Sequence, residues 1–115
     1  MYSQGDILLV PLPFTDLSAN KKRPVFVLSK RDYNDAADDL IVAAVTSNLD
    51  TKPYVVLFAN KDMTDGALKV DSYVRADKIY TLSQSIVIKR FGKVKSKVVE
   101  TVKEKILSVM NESSI

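Results

Sequence analysis

The sequence lacks cysteine and histidine, and it has only three glycines among its 115 residues. Without cysteine there is no disulfide framework, no thiolate zinc site and no thiol nucleophile. Without histidine, the commonest general base near neutral pH and the commonest metal ligand are both missing. Gly5, Gly66 and Gly92 are too widely spaced to build a P-loop or a GxGxxG turn. Any catalysis must therefore use acidic, basic or hydroxyl side chains.

Long apolar runs are missing as well. No segment approaches the roughly 20 apolar residues that span a bilayer. The run 7–14 is interrupted by Pro11 and Pro13, and no basic residue precedes it. We therefore expect a cytoplasmic protein with neither a signal peptide nor a membrane association. The length, with 46% hydrophobic and 27% charged residues, predicts one globular domain over residues 1–115.

The net charge is +3, and the basic residues are clustered. Lys21, Lys22 and Arg23 form one cluster, and the run 89–97 contains five more cations around Phe91 without an acidic residue. Both clusters are compatible with a nucleic-acid partner. They are equally compatible with solvated turns, and the sequence leaves both interpretations open.

Short β-prone segments predict a mainly β fold. The predicted strands are residues 6–11, 23–29, 40–46, 53–58, 72–77, 78–81 and 85–89, with turns at 34–39 and 62–66. The run 40–46 is apolar throughout, so we expect it to be buried on both faces. An apolar stripe at helical spacing predicts a helix from about Ser96 to about Asn111, docked on the sheet. The pattern indicates an α+β fold, a small barrel or sandwich with a C-terminal helix.

Polar residues at the predicted strand ends are candidate site residues. Arg23 begins a strand, and a guanidinium matches a phosphate with two parallel donors. Thr46, Ser47 and Asn48 end the most apolar strand, where they either form an ordinary turn or bind a phosphate oxygen. The tyrosines provide either sheet packing or stacking surfaces for bases; they include Tyr33, Tyr54, Tyr73 and Tyr80.

Arg75 and Asp77 share a face of a predicted strand, because they are two residues apart. They are either a surface ion pair or an acid/base couple. In the second interpretation Asp77 accepts a proton from a ribose hydroxyl and Arg75 neutralises charge on a phosphorane. The neighbouring arginine lowers the pKa of the aspartate and weakens it as a base.

Taken in series, these stretches resemble the MazF/PemK family of type II toxin–antitoxin toxins. The matching stretches are 5–7, 10–16, 22–29, 41–47, 72–79 and 81–82. The resemblance implies an SH3-like small β-barrel that forms a homodimer. It also implies an endoribonuclease that cleaves single-stranded RNA without a metal or other cofactor. In such enzymes the ribose 2′-hydroxyl attacks the adjacent phosphate, which gives a 2′,3′-cyclic phosphate and a 5′-hydroxyl.

The resemblance also implies roles for individual residues. Arg23 and Thr46 match the family's phosphate-stabilising arginine and catalytic threonine. Arg75 and Asp77 match an arginine and an aspartate that act as acid and base in one branch. That branch also uses a histidine in its first loop, which this chain lacks. Loop 12–22 matches a segment that covers the RNA site, and the expected RNA-binding residues are Thr15, Lys21, Lys22, Ser47 and Asn48.

The family further implies a small acidic antitoxin as protein partner, with a C-terminal part that folds into the toxin groove. Two non-catalytic alternatives remain. A related toxin class uses the same barrel to trap DNA gyrase, and an inactive relative would bind only RNA or a partner. The polar set Arg23, Thr46, Arg75 and Asp77 favours the enzyme, because a pure binding module has no need to keep these residues together.

Overall fold

The computed structural model describes residues 1–11, 21–48 and 53–112. In these ranges the strands are β1 (Asp6–Pro11), β2 (Lys22–Val27), β3 (Asp39–Thr46), β4 (Val55–Phe58), β5 (Met63–Gly66), β6 (Ser72–Ser83) and β7 (Lys89–Val94). The helices are α1 (Arg31–Ala36) and α2 (Ser96–Met110). The strands form one antiparallel sheet in the order β4-β6-β3-β2-β1-β7-β5, which curls into a half-barrel. The prediction of a mainly β, α+β fold with a C-terminal helix is confirmed.

The sheet buries apolar side chains on both faces. The inner face, which α2 covers, carries Ile7, Phe26, Ala43, Val45, Val56, Phe58 and Val74. The outer face carries Leu8, Val10, Val25, Val27, Leu40, Val42 and Leu82. Strand β3 contributes to both clusters, since successive side chains of a strand point to opposite faces. The prediction that the run 40–46 is buried on both sides is therefore confirmed.

Helix α2 is held by packing. Val98, Val99 and Val102 are buried against the inner face, where α2 contacts β4 and β6. Valine is a weak helix former, so the burial of this stripe has to stabilise the helix. Ile106 is partly buried and packs against the same cluster, whereas Met110 near the end of the helix is 65% exposed. The predicted docking is confirmed as far as Ile106. No helix within the described residues is long and apolar enough to cross a membrane.

Helix α1 replaces part of the turn predicted at 34–39. Its buried Asn34 donates hydrogen bonds to the backbone carbonyls of Tyr2 and Ser29. The Gln84 amide donates to three carbonyls around the end of the helix, one of which belongs to Asn34. The helix is only six residues long, which is too short to be stable through its local propensity alone. These long-range hydrogen bonds stabilise it instead.

Strand β5 lies where a turn was predicted at 62–66, and β7 begins only at the last residue of the strand predicted at 85–89. Gly66 pairs directly with Gly92, and Gly66 has a φ of 75°. A Cβ at Gly66 would collide with the backbone carbonyl of Phe91, so glycine is required for the close approach of the two strands. Residues Gln84–Ile86 form a 3-10 turn, which ends β6 and shifts the following strand to Lys89–Val94.

Strand β6 joins the two extended pieces predicted at 72–77 and 78–81. Its pairing with β3 is interrupted, because Ala43 lies opposite Ile79 whereas Ala44 lies opposite Arg75. Residues 76–78 are therefore an insertion in β6 without a counterpart on β3. Such a bulge interrupts the pairing and redirects the side chains beside it, and in β6 it begins directly after Arg75.

Candidate functional site

The register between β2 and β3 brings Arg23 and Thr46 together. Val25 pairs with Ala44. This is the last pair of the two strands, and Arg23 lies two residues before Val25 whereas Thr46 lies two residues after Ala44. Both residues are therefore at the same end of the β2–β3 pair and on the same face as Val25 and Ala44. Because Val25 belongs to the outer cluster, both polar residues lie on the outer face, beyond its apolar part.

The pairing of β3 with β6 extends this polar region. Thr46 lies opposite Tyr73, and Ala44 lies opposite Arg75. Tyr73 and Arg75 are two residues apart in one strand and so share the outer face with Thr46. Four side chains from three strands thus meet on one surface: Arg23, Thr46, Tyr73 and Arg75. Three of these were candidate site residues from the sequence.

The bulge in β6 turns Asp77 back onto Arg75. Arg75 donates two parallel hydrogen bonds to Asp77, from Nε to Oδ1 at 3.1 Å and from Nη2 to Oδ2 at 2.8 Å. The side chains are 17% and 30% exposed, so the pair is accessible from the surface. The hydrogen bond from Arg75 lowers the pKa of Asp77 below its ordinary value of 3.8, although partial burial opposes the shift. Asp77 is therefore fully ionised at neutral pH.

Arg23 differs from the two lysines before it. Lys21 and Lys22 are exposed, whereas Arg23 is half-buried and its Nε atom is inaccessible to solvent. Lys22 begins β2 and pairs with Pro11. The position of Arg23 is thus fixed by the sheet, and the two lysines add positive charge around it.

The end of β3 presents hydroxyl and amide groups. The Asn48 backbone N–H donates to the Thr46 hydroxyl oxygen at 3.1 Å. A hydroxyl that accepts this bond still has its own proton to donate, and an anionic oxygen would be a suitable acceptor. Ser47 and Asn48 are exposed beside it. Thr15, the fifth expected RNA-binding residue, lies outside the described residues.

The second basic cluster is largely part of the sheet. Arg90 Nη2 lies 3.2 Å from Asp6 Oδ1 on β1 and 3.1 Å from Asp65 Oδ1 on β5. The Asp6 oxygen has no aligned hydrogen bond, so its contact with Arg90 is an ion pair. The hydrogen bond to Asp65, supported by Asp6, raises the pKa of Arg90. Lys89 Nζ lies 5.1 Å from the centre of the Phe91 ring.

Sequence reasoning missed two features of this arrangement. It did not connect Arg90 with Asp6 and Asp65, because the three come from different strands. The available signal was an aspartate, Asp6, at the head of an apolar strand. It also left Tyr73 among several tyrosines, since its position opposite Thr46 follows from pairing alone.

Comparisons with known proteins identify a family and a fold. A family model described as "PemK-like, MazF-like toxin of type II toxin-antitoxin system" matches residues 3–110. No curated protein matches the chain. Among solved structures, a MazE–MazF complex from Deinococcus radiodurans has a TM-score of 0.77 at 23% identity, covering 97% of this chain and 98% of that chain.

Two mycobacterial structures are also similar. The first is an endoribonuclease in complex with its cognate antitoxin, with a TM-score of 0.76 at 19% identity and coverage of 96% and 95% of the two chains. The second is the Mycobacterium tuberculosis toxin MazF-mt6, with a TM-score of 0.75 at 18% identity and coverage of 94% and 98%. At these identities, the structural similarity establishes the fold alone.

Proposed function

The chain belongs to the PemK-like, MazF-like toxins of type II toxin–antitoxin systems, and we propose that it is a metal-independent endoribonuclease that cleaves single-stranded RNA at short sequences. The observation that carries this proposal is the strand register. It places the half-buried Arg23, the Thr46 hydroxyl and the Arg75–Asp77 pair on one face of the sheet. This combination offers phosphate ligands and a carboxylate base without histidine.

In the proposed reaction the ribose 2′-hydroxyl attacks the adjacent phosphorus, and negative charge accumulates on the phosphorane oxygens. Arg23 binds these oxygens with its fork of N–H donors, and the Thr46 hydroxyl donates another hydrogen bond. Both groups are held by the sheet before substrate arrives. Preorganised donors of this kind stabilise a transition state without reorganisation, and removing one typically costs about 10²- to 10³-fold in rate.

Asp77 is the proposed base for the 2′-hydroxyl, and Arg75 acts as acid or as a second stabiliser of the phosphorane. The free protein keeps Asp77 a weak base, because Arg75 lowers its pKa. A bound phosphate competes for the same guanidinium. When Arg75 turns to the phosphate, Asp77 loses its strongest hydrogen-bond donors and its pKa rises. Substrate binding itself thereby makes Asp77 a better base.

The surroundings of the site suggest how its partners bind. The exposed Lys21, Lys22, Ser47 and Asn48 flank Arg23 and Thr46, where they are suited to contact an RNA backbone; Thr15 is the remaining proposed contact. We propose that an acidic antitoxin segment binds the same cations. Similar structures include an endoribonuclease in complex with its cognate antitoxin and a MazE–MazF complex. We further propose that the protein is cytoplasmic and forms a homodimer. Light scattering would test the dimer.

The proposal is tested by incubating purified protein with a long unstructured RNA in EDTA and mapping the 5′ ends. We expect cleavage at a repeated short sequence with 5′-hydroxyl ends. Arg23→Ala and Thr46→Ala should each reduce single-turnover cleavage by about 10²-fold or more, while Thr46→Ser, which keeps the hydroxyl, serves as control. Wild-type rates in both alanine variants would refute these assignments.

A non-catalytic binding module is the second candidate. The observation that favours it is the ion pair between Arg75 and Asp77, because two side chains that bind each other at the surface need no catalytic role. Well-folded, antitoxin-free protein that leaves RNA intact would support this alternative. Capture of DNA gyrase by the purified protein would then distinguish a gyrase-binding toxin from an inactive RNA binder.

A further inference from the structure

An apolar strip lies beside the polar groups on the outer face. Tyr73 is half-buried and stands between two paired neighbours, Thr46 on β3 and Leu57 on β4. Leu57 is 55% exposed although it is a large hydrophobic residue. Val55 continues the strip, opposite Arg75. The strip therefore runs along the same surface as the cations, one strand position away from the Thr46 hydroxyl.

The strip has the composition of a stacking surface. The Tyr73 hydroxyl forms no hydrogen bond to any described residue, so the residue is not anchored through its polar end. An aromatic ring that is partly accessible next to cations suits a single-stranded nucleotide, because the cations bind the phosphate and the ring stacks on the base. A peptide side chain would use the strip equally well but would not require a phosphate ligand at its edge.

We infer that the Tyr73 ring, with Leu57 beside it, is the stacking platform for a nucleobase next to the scissile phosphate. This inference rests on the proposed function, and it names a base-binding residue of that reaction. Thr46 and Tyr73 are directly opposite one another, so their Cβ atoms are about 5 Å apart. A phosphate bound at Thr46 therefore carries an attached base within reach of the Tyr73 ring.

The structural alternative is that Tyr73 merely fills a cross-strand position. Two substitutions separate these roles. Tyr73→Phe keeps the ring, and Tyr73→Val removes the ring but keeps a β-branched residue that suits a strand. Ile79→Ala is the matched control, because Ile79 is 37% exposed in the same strand beyond the bulge. Leu57→Ala, on the edge strand β4, probes the platform from its exposed side if Tyr73→Val fails to fold.

The experiment first maps the cleavage site of the wild-type protein on RNA. It then measures binding of a short RNA with a 2′-deoxy nucleotide at that site, which holds the complex uncleaved. We expect Tyr73→Val to weaken binding by about 5- to 150-fold, the loss that corresponds to one base–aromatic stack. Tyr73→Phe and Ile79→Ala should remain within about twofold of wild type, and Leu57→Ala should show a smaller loss than Tyr73→Val.

A second RNA carries an abasic nucleotide beside the scissile phosphate, which completes a double-mutant cycle. Removing the base should weaken binding to the wild type but leave binding to Tyr73→Val nearly unchanged. Equal losses in both proteins would overturn the platform while cleavage still supports the ribonuclease. Unchanged RNA binding with weakened antitoxin binding would assign the strip to a protein partner and also overturn it. An RNA that is neither cleaved nor bound would overturn the proposed function and the platform together.

Discussion

Two arginine–aspartate groups lie in the same sheet, and they differ in where their partners come from. Arg75 and Asp77 are two residues apart in β6, and the pair is accessible from the surface. Arg90 instead binds Asp6 from β1 and Asp65 from β5, and the Asp6 side chain is only 2% exposed. The first pair joins no strands, so it can open for a substrate. The second joins three strands, so opening it disturbs the fold.

The energetics of the two groups should differ accordingly. Arg75 and Asp77 are 17% and 30% exposed, and an ion pair that water still reaches contributes about 0–1 kcal/mol to stability. In the second group Arg90 is 40% exposed and only the Asp6 side chain is buried. Changing Asp6 should cost more, because it leaves a buried polar position without its partner. Substitutions at the Arg75–Asp77 pair should therefore affect activity, and those at the Asp6–Arg90 pair should affect stability.

The largest expected effect is on the rate of RNA cleavage by Asp77→Asn. Asparagine keeps the shape but cannot accept the 2′-hydroxyl proton, so single-turnover cleavage should fall by about 10²- to 10⁴-fold. The free energy of unfolding at neutral pH should change by less than about 1 kcal/mol. A variant that cleaves normally would show that Asp77 is not the base. A variant that unfolds readily would show that the Arg75–Asp77 pair contributes to stability more than we expect.

Asp6→Asn should give the reverse result. Its carboxylate also accepts the Ser3 backbone N–H at 2.8 Å, which asparagine can still do, while the charge facing Arg90 is lost. We expect a loss of about 1–3 kcal/mol in the free energy of unfolding, measured by urea denaturation. Cleavage by the folded variant should stay within about threefold of wild type. Unchanged stability would show that the ion pair between Asp6 and Arg90 does not stabilise the fold.

Arg75→Gln should sharpen the account of Asp77. The arginine is the main reason why the pKa of Asp77 is lowered, and without it partial burial raises that pKa towards or above 3.8. As the pH is lowered, residual cleavage by the variant should therefore begin to decline at a higher pH than cleavage by the wild type. The check is kcat/KM from pH 3 to 7, and coincident acid limbs would show that Arg75 does not control this group.

The smallest effect concerns stability at low pH. The folded-state pKa of Asp77 is below its unfolded value of 3.8, so the pair stabilises the fold above that value. This contribution is lost as the pH falls through the folded-state pKa. The stability difference between wild type and Asp77→Asn, less than about 1 kcal/mol at pH 7, should shrink further at pH 3. Parallel urea titrations at both pH values test this prediction, and a stability difference that is the same at pH 3 as at pH 7 would contradict it.

The sequence predicted the parts of the fold whose signal is local. The apolar runs of β1 to β4 and the stripe of α2 are legible from periodicity alone. Strand β5 was missed because Met63–Gly66 carries no apolar alternation and depends on the contact of Gly66 with Gly92. Helix α1 was missed because its stability comes from Asn34 and its distant partners.

The candidate site divides in the same way. Arg23, Thr46 and Arg75 were identified from strand ends and from the family resemblance, but their convergence on one face depends on register. The two hydrogen bonds from Arg75 to Asp77 depend on the insertion at 76–78. The position of this bulge is not visible in any local sequence pattern. Chemistry-bearing residue types are thus visible in the sequence, whereas their mutual geometry comes from long-range pairing.

The most direct test of the central claim is the chemical identity of the cleaved RNA ends. We expect mass spectrometry of products made in EDTA to find a 2′,3′-cyclic phosphate and a 5′-hydroxyl. One 2′-deoxy nucleotide at the cleavage site should abolish cutting there, and Arg23→Ala should slow the reaction by about 10²-fold or more. Cleavage that continues at the deoxy position, or that leaves 5′-phosphate ends, would contradict attack by the 2′-hydroxyl at this face of the sheet.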